Sequence, residues 1–196
     1  MPNLYIIAGG NGSGKTTIAS KLLPDYFNCT EFVNADILAS GMAPKDVASV
    51  AITAGKMTLE LIDRLFDEQM SFALETTLSG KIHERIIKKA QRKGYYVVLI
   101  YVWVESYRIS VSRVKSRSML GGHFVPKHDV IRRYQRGLIN LFNVYMELCD
   151  FWSIIDNTRP PQKLIASGAI EVDIEIFDTE IWKRINSTVK EYESRA

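Results

Sequence analysis

Cysteine is scarce in this 196-residue chain: there are two, Cys29 and Cys149. Neither belongs to a CxxC pair or to a Cys/His cluster with metal spacing. That excludes a disulfide scaffold and a zinc module, and it is the pattern of reduced thiols in a cytosolic protein. The opening residues, MPNLYIIAGG, lack the basic stretch and long apolar core of a secretory signal. The longest apolar run, Tyr95 to Val104, is too short to span a bilayer. These absences point to the cytoplasm and to no membrane partner. Repeats and low-complexity tracts are missing. An Asn-Lys-x-Asp segment is missing too, which argues against a guanine-reading GTPase. So is an apolar run closed by a pair of acids, which argues against many ATPase motors. Excess charge of one sign is also lacking. The net charge of +3 by itself marks neither nucleic acid nor a membrane surface as a partner.

What is present is an ordinary 46% hydrophobic fraction arranged in alternating β-rich and helical segments. That alternation predicts an α/β fold in three layers, a mostly parallel sheet flanked by helices, as one domain over residues 1–196. Expected strands are Leu4–Ala8, Thr30–Val33, Ser71–Thr76, Tyr95–Val102 and Trp152–Asp156. Expected helices are Lys15–Leu23, stopped near Pro24, then Pro44–Glu68, with Pro44 suited to a first turn. Further helices are Lys81–Lys93, closed by Gly94, then Ser106–Ser118, Lys127–Leu148 and a C-terminal helix around 179–194. Leu120–Pro126 and Asn157–Pro161 read as loops. His83 and His128 lie in charged helical stretches and are expected to face solvent.

Residues 9–16, Gly9-Gly10-Asn11-Gly12-Ser13-Gly14-Lys15-Thr16, fit the pattern G-x-x-x-x-G-K-[ST]. Glycines let the backbone curl into a nest of N–H groups around a phosphate, and the helix that follows presents its positive end to the anion. Lys15 can reach the β- and γ-phosphates, and the Thr16 hydroxyl can ligate Mg²⁺. With Thr17, these residues form the predicted ATP site.

Three further features lean towards phosphoryl transfer. Asp36 follows the second strand, at the rim where ligands of parallel sheets sit. It can orient and deprotonate an acceptor hydroxyl, or it can serve as a helix cap. Glu75-Thr76-Thr77 ends the third strand and can hydrogen-bond a polyol, or simply cap the strand. Arg113 and Arg117 share one helix face, and Arg132 and Arg136 share another, with Arg133 beside them. The glycine loop between the two helices suggests an arginine-bearing lid around 106–137 that neutralises a transferring phosphoryl group. The same charge also suits a solvated surface. No interleaved aromatic platform accompanies it, so nucleic acid is not the expected partner. Asp156 ends an apolar run and reads as a Mg²⁺-side carboxylate, a turn residue near the base, or a strand end.

Taken together, the strand–P-loop start, Asn34-Ala35-Asp36, Glu75-Thr76-Thr77-Leu78 and Gly121-Gly122-His123-x-Val125-Pro126 ahead of Arg132-Arg133-Tyr134 resemble the zeta toxin family of P-loop kinases. The resemblance covers roughly residues 3 to 160 and is nearest to the family's short bacterial members. It implies an ATP- and Mg²⁺-dependent kinase acting on a hydroxyl of UDP-N-acetylglucosamine, with a protein antitoxin that blocks the nucleotide site. Under it Asp36 matches the catalytic base, Lys15 and Thr16 the phosphate and metal residues, and Glu75 and Thr77 the sugar-nucleotide positions. Arg113 or Arg117 matches the first lid arginine. His123 stands where a second lid arginine is expected, and Arg132 or Arg133 could supply that charge. Rival readings are an ATP-binding or ATP-hydrolysing regulatory module and a polynucleotide 5′-hydroxyl kinase.

Overall fold

From Leu4 to Ala8 every side chain of the first strand, β1 (Asn3–Ala8), is buried. Leu4, Ile6 and Ala8 enter one apolar cluster, while Tyr5 and Ile7 enter another. A strand covered on both faces needs a helical layer on each side, and the computed structural model, which describes residues 1–43, 46–122 and 124–195, supplies them. The other strands are β2 (Glu31–Val33), β3 (Phe72–Thr76), β4 (Tyr96–Trp103), β5 (Phe151–Asp156), β6 (Lys163–Ala169) and β7 (Val172–Ile176). They form a seven-stranded sheet in the order β2-β3-β1-β4-β5-β6-β7. β1 to β5 run parallel, and β6 and β7 add an antiparallel hairpin. The larger cluster takes side chains from α3 (Val47–Asp67), α4 (Ile82–Arg92), α6 (Lys127–Asn140) and α8 (Thr179–Glu193). α1 (Lys15–Phe27) covers the opposite face through Ile18, Ala19 and Leu23. Each fully buried aliphatic or aromatic side chain contributes about 1.5–3 kcal/mol relative to exposure. Val114 of α5 (Tyr107–Met119), Val130 of α6 and Val125 of the connection between them form a separate small cluster. Among the described residues, no helix is long and apolar enough to cross a membrane.

The elements depart from expectation in five places. α1 runs through Pro24 to Phe27, because Pro24 sits exposed on the helix and the last turn stacks Phe27 on Tyr5 at 4.5 Å. An extra helix, α2 (Ala35–Met42), precedes α3, and Asn34 caps it by accepting from the N–H groups of Asp36 and Ile37 at 2.9 and 3.1 Å. α3 itself starts at Val47 behind an Asp46 cap, and the Pro44 start lies outside the described residues. The long helix from Lys127 does reach Leu148, but through a π-helical turn at Leu141–Tyr145 and a short α7 (Met146–Leu148). The β6–β7 hairpin has no counterpart in the expected strands, although Val172-Asp173-Ile174-Glu175-Ile176 alternates as a half-exposed strand should.

His83 does not face solvent. Its Nδ1 lies 3.2 Å from the Thr76 hydroxyl, which already accepts the Leu78 N–H at 3.0 Å. The hydroxyl hydrogen is therefore free to go to Nδ1, and the imidazole stays neutral. Burial pushes its pKa down to about 4. A depressed histidine pKa means the unfolded chain binds the proton more readily. Stability is then complete above pH 6.5 and falls as pH drops from 6.5 towards 4. We expect His83→Gln to flatten that fall by on the order of 1–3 kcal/mol in urea titrations at pH 7 and pH 4.5. Equal pH slopes in the two proteins would contradict it. His128, by contrast, is exposed as expected.

Candidate active site

β1 delivers the chain to Gly9, and Gly14 stands at φ 97°, a conformation open to glycine at low cost, to start α1. Along this loop the backbone N–H groups of Asn11, Gly12, Gly14, Lys15 and Thr16 meet no protein acceptor among the described residues. A row of unpaired donors at a helix N-terminus is a seat for an anion. The loop is held from three sides. A Cβ on Gly9 would overlap the Val102 carbonyl of β4, and one on Gly10 would press the Tyr134 ring of α6 at 3.2 Å. Asn157, just past β5, donates through Nδ2 to the Ser13 carbonyl at 2.7 Å.

Lys15 is buried, and its Nζ donates to the Gly10 carbonyl at 3.1 Å and lies 3.5 Å from Glu75 Oε1. Burial holds its pKa below the usual lysine value, and the Glu75 carboxylate opposes that shift. The other Glu75 oxygen accepts from the Thr16 hydroxyl at 2.7 Å. Glu75 reaches both because β3 is the direct neighbour of β1, with Glu75 in register with Ile7. In this structure the carboxylate expected to hold a sugar nucleotide is thus bonded to the phosphate lysine and the metal-side threonine.

Above the loop lies a cavity of about 500 Å³, lined among others by Gly12, Lys15, Thr16, Thr17, Asp36, Glu75, Arg113 and Arg117. A smaller one of about 140 Å³ adjoins it and shares Asn11, Lys15, Asn34, Asp36 and Glu75, adding Thr77 and Arg133. Asp36 lines both. Asn34 is the cap of α2, so the Asp36 carboxylate remains without a hydrogen-bond or ion-pair partner among the described residues. Thr77 is placed by the strained residue after it. Leu78 is fully buried at φ 53°, a costly conformation for leucine, and is held there by Thr76 Oγ1 and by Asn140 Nδ2, 2.6 Å from its carbonyl. Gly137 of α6 lets the Thr77 carbonyl approach, since a Cβ there would overlap it.

The expected lid arginines separate. Arg117 and Arg113 line the large cavity, although Arg113 also donates to the Asn157 and Thr158 carbonyls at 3.0 and 2.9 Å. Arg133 lines the small cavity, with Nη1 3.5 Å from Asn11 Oδ1. Arg132 lines neither: its guanidinium pairs with Asp129 at 2.7 Å on an exposed surface, because Tyr134 fixes the phase of α6 against the loop. His123 lies outside the described residues. Asp156 is the last residue of β5, accepts from the Thr158 N–H at 2.7 Å, and does not line the P-loop cavities. Both cysteines are buried, and burial pushes both thiols up, so neither is a ready nucleophile.

A zeta toxin family model matches residues 1–157. The chain belongs to the zeta toxin family. A relative in Haemophilus influenzae, an uncharacterized protein, is 32% identical over 129 residues, covering 64% of this chain and 88% of the relative. Among solved structures, the AvrRxo1-ORF1:-ORF2 complex with ATP matches at TM-score 0.78 and 19% identity, over 96% of this chain. This zeta toxin family member spans 64% of that longer chain. The PezAT chromosomal toxin–antitoxin system of Streptococcus pneumoniae matches at TM-score 0.63 and 15% identity, over 98% of this chain and 87% of that one. The fold is that of P-loop kinases, whose phosphoryl donor is ATP with Mg²⁺.

The residues present fit that donor. The unpaired N–H groups and Lys15 suit the phosphates, and the Thr16 hydroxyl beside the Glu75 carboxylate offers a divalent ion two oxygen ligands. When bound, Mg²⁺-ATP supplies a transferable γ-phosphoryl group and a divalent charge that offsets charge on its oxygens. Asn157 was missed as a site residue, since in sequence it is one turn residue 144 positions from its partner Ser13. Asn157→Ala is expected to raise the KM for ATP about ten-fold, with kcat within about three-fold, since a buried carbonyl loses its donor. Steady-state kinetics with ATP varied checks it; an unchanged KM would mean that the loop holds its shape alone.

Proposed function

We propose that this chain transfers the γ-phosphoryl group of ATP to a hydroxyl of a small acceptor, UDP-N-acetylglucosamine or a similar sugar nucleotide. The observation that carries the reading is Asp36: an unpartnered carboxylate on the wall shared by the phosphate cavity and the smaller cavity beside it. In this reading Asp36 accepts the proton of the acceptor hydroxyl while that oxygen bonds to phosphorus and the bond to the β-phosphate oxygen breaks. Lys15, Arg117 and Arg113 hold the charge on the donor side, and Thr77, Arg133 and Asn11 orient the acceptor. Glu75 serves the metal side through Thr16 as well as the acceptor cavity it lines. α5 and α6 act as the lid of a single kinase domain spanning residues 1–196. A protein antitoxin that covers the nucleotide site is the proposed partner, in keeping with the toxin–antitoxin system among the matched structures, and the cytoplasm is the proposed location.

The test supplies γ-labelled ATP and Mg²⁺ with and without UDP-N-acetylglucosamine. Label is expected in the sugar nucleotide. Label in another small hydroxyl compound offered in parallel would keep the chemistry and change the acceptor. Label found only as inorganic phosphate, at the same rate with every acceptor, would leave an ATP-hydrolysing module in place of a kinase.

A further inference from the structure

At the end of the sheet far from β2 lies β7, which pairs on one side with β6. Among the described residues no other hydrogen bond reaches Val172–Ile176. An unpaired strand edge is a template for another strand, and proteins usually blunt it or cover it. Here the edge is not apolar-poor. Val172, Ile174 and Ile176 are 64%, 47% and 42% exposed, and Ile170 and Phe177 flank them at 47% and 50%. Val172 and Ile174 overhang a groove of about 460 Å³ whose wall includes Trp152 and Trp182, stacked 6.2 Å apart. On the opposite side of the strand stand Asp173 and Glu175. The stretch from Glu171 to Glu180 holds five acidic residues and no basic one, in a chain of net charge +3.

Charge decides between occupants. A second copy of the chain would pair β7 with β7 about a twofold axis. Any register that keeps the apolar side chains on one face sets the acids of one copy opposite the acids of the other, and like charges directly opposite are destabilising. A register shifted by one residue sets acids against valine and isoleucine on the same face. Self-pairing is disfavoured either way. A strand from a different protein, with apolar residues on the groove side and lysine or arginine on the acid side, satisfies both faces at once. Main-chain pairing would supply affinity, and the alternating side chains would supply selectivity.

We infer that β7 is the receptor edge for an extended segment of another protein that alternates apolar and basic residues. The inference is independent of the kinase reading, because β4, β5 and β6 lie between this edge of the sheet and the P-loop strand. Its test uses the full chain and two peptides of about ten residues, one alternating valine with lysine and one alternating valine with glutamate. Amide hydrogen exchange is read at residues 170–177, and affinity by fluorescence anisotropy at low and high salt. The lysine peptide is expected to protect β7 and to weaken with salt; the glutamate peptide is expected to bind at least about ten-fold more weakly. In the charge-reversed double variant Asp173→Lys/Glu175→Lys, the preference is expected to invert, with ATP binding unchanged as the check that the sheet is intact. Ile174→Lys is expected to weaken both peptides. Absence of protection by either peptide overturns the inference. So does equal binding of both, or sedimentation showing a dimer that Ile174→Lys dissolves. A soluble protein that ignores both peptides, while Asp173→Asn/Glu175→Gln aggregates, would give the acids the role of edge protection alone.

Discussion

Lys15→Ala is expected to lower the rate of phosphoryl transfer by about 10³-fold or more, the scale seen when a preorganised charge is removed from a developing anion. The loss should fall on kcat/KM, measured with labelled ATP at several donor concentrations. The structure adds a complication that must be separated from catalysis. Lys15 is buried against Glu75, and Glu75 retains only the Thr16 hydroxyl when the ammonium is gone. Breaking a buried pair from one side is destabilising, whereas replacing both partners by neutral groups is often tolerated. The double variant Lys15→Met/Glu75→Gln is therefore expected to recover most of the thermal stability lost by Lys15→Met while recovering none of the transfer. Transfer by Lys15→Ala near the unmutated rate would remove the phosphate site from this loop.

Asp36→Asn is expected to lower kcat by about 10²–10⁴-fold, the range for loss of a positioned general base, with little change in the KM for ATP. Asparagine keeps the size of the side chain, and Asn34 still caps α2, so the helix that carries position 36 has no reason to move. The cost to folding is the loss of one negative charge in the first turn of a helix, about 0.3–1 kcal/mol. Calorimetry should therefore show near-normal nucleotide binding in a protein that no longer labels its acceptor. If Asp36→Asn labelled the acceptor at the original rate, the wall between the two cavities would not be where the proton is taken. If it bound no nucleotide, Asp36 would belong to the donor side instead.

The sequence made the P-loop readable because all of it is local: residues 9–17 carry their own turn, anion seat and helix start. The parallel strands were readable because burial on both faces leaves nearly continuous apolar runs. What stayed hidden depended on neighbours far along the chain. Glu75 meets Lys15 and Thr16 only because β3 adds beside β1, and no spacing rule encodes that order. Asn157 looks like any turn residue until β5 brings it under Ser13. Arg132 and Arg133 are adjacent and chemically alike. One lines the small cavity and the other pairs on the surface, because the Tyr134 ring packing under Gly10 sets the rotation of α6. α2 was hidden for a different reason. It is eight residues long and was overshadowed by the longer periodic pattern after it, although Asn34 ahead of Ala35-Asp36-Ile37 was a usable start signal. The β6–β7 hairpin shows in sequence only as the five-residue alternation of 172–176, too short a run to reveal its partner strand.

The triangle of Lys15, Thr16 and Glu75 bears on how a donor enters. In the resting protein the strongest cation of the loop is already matched, so the seat is not a bare positive hole that any passing polyanion would fill. An arriving triphosphate must compete with Glu75 for the ammonium, and a freed carboxylate then needs a cation of its own. A nucleotide accompanied by a divalent ion brings that cation with it. Arrival is then expected to be an exchange of partners in place of a simple addition, with the metal complex taken up in preference to the naked anion.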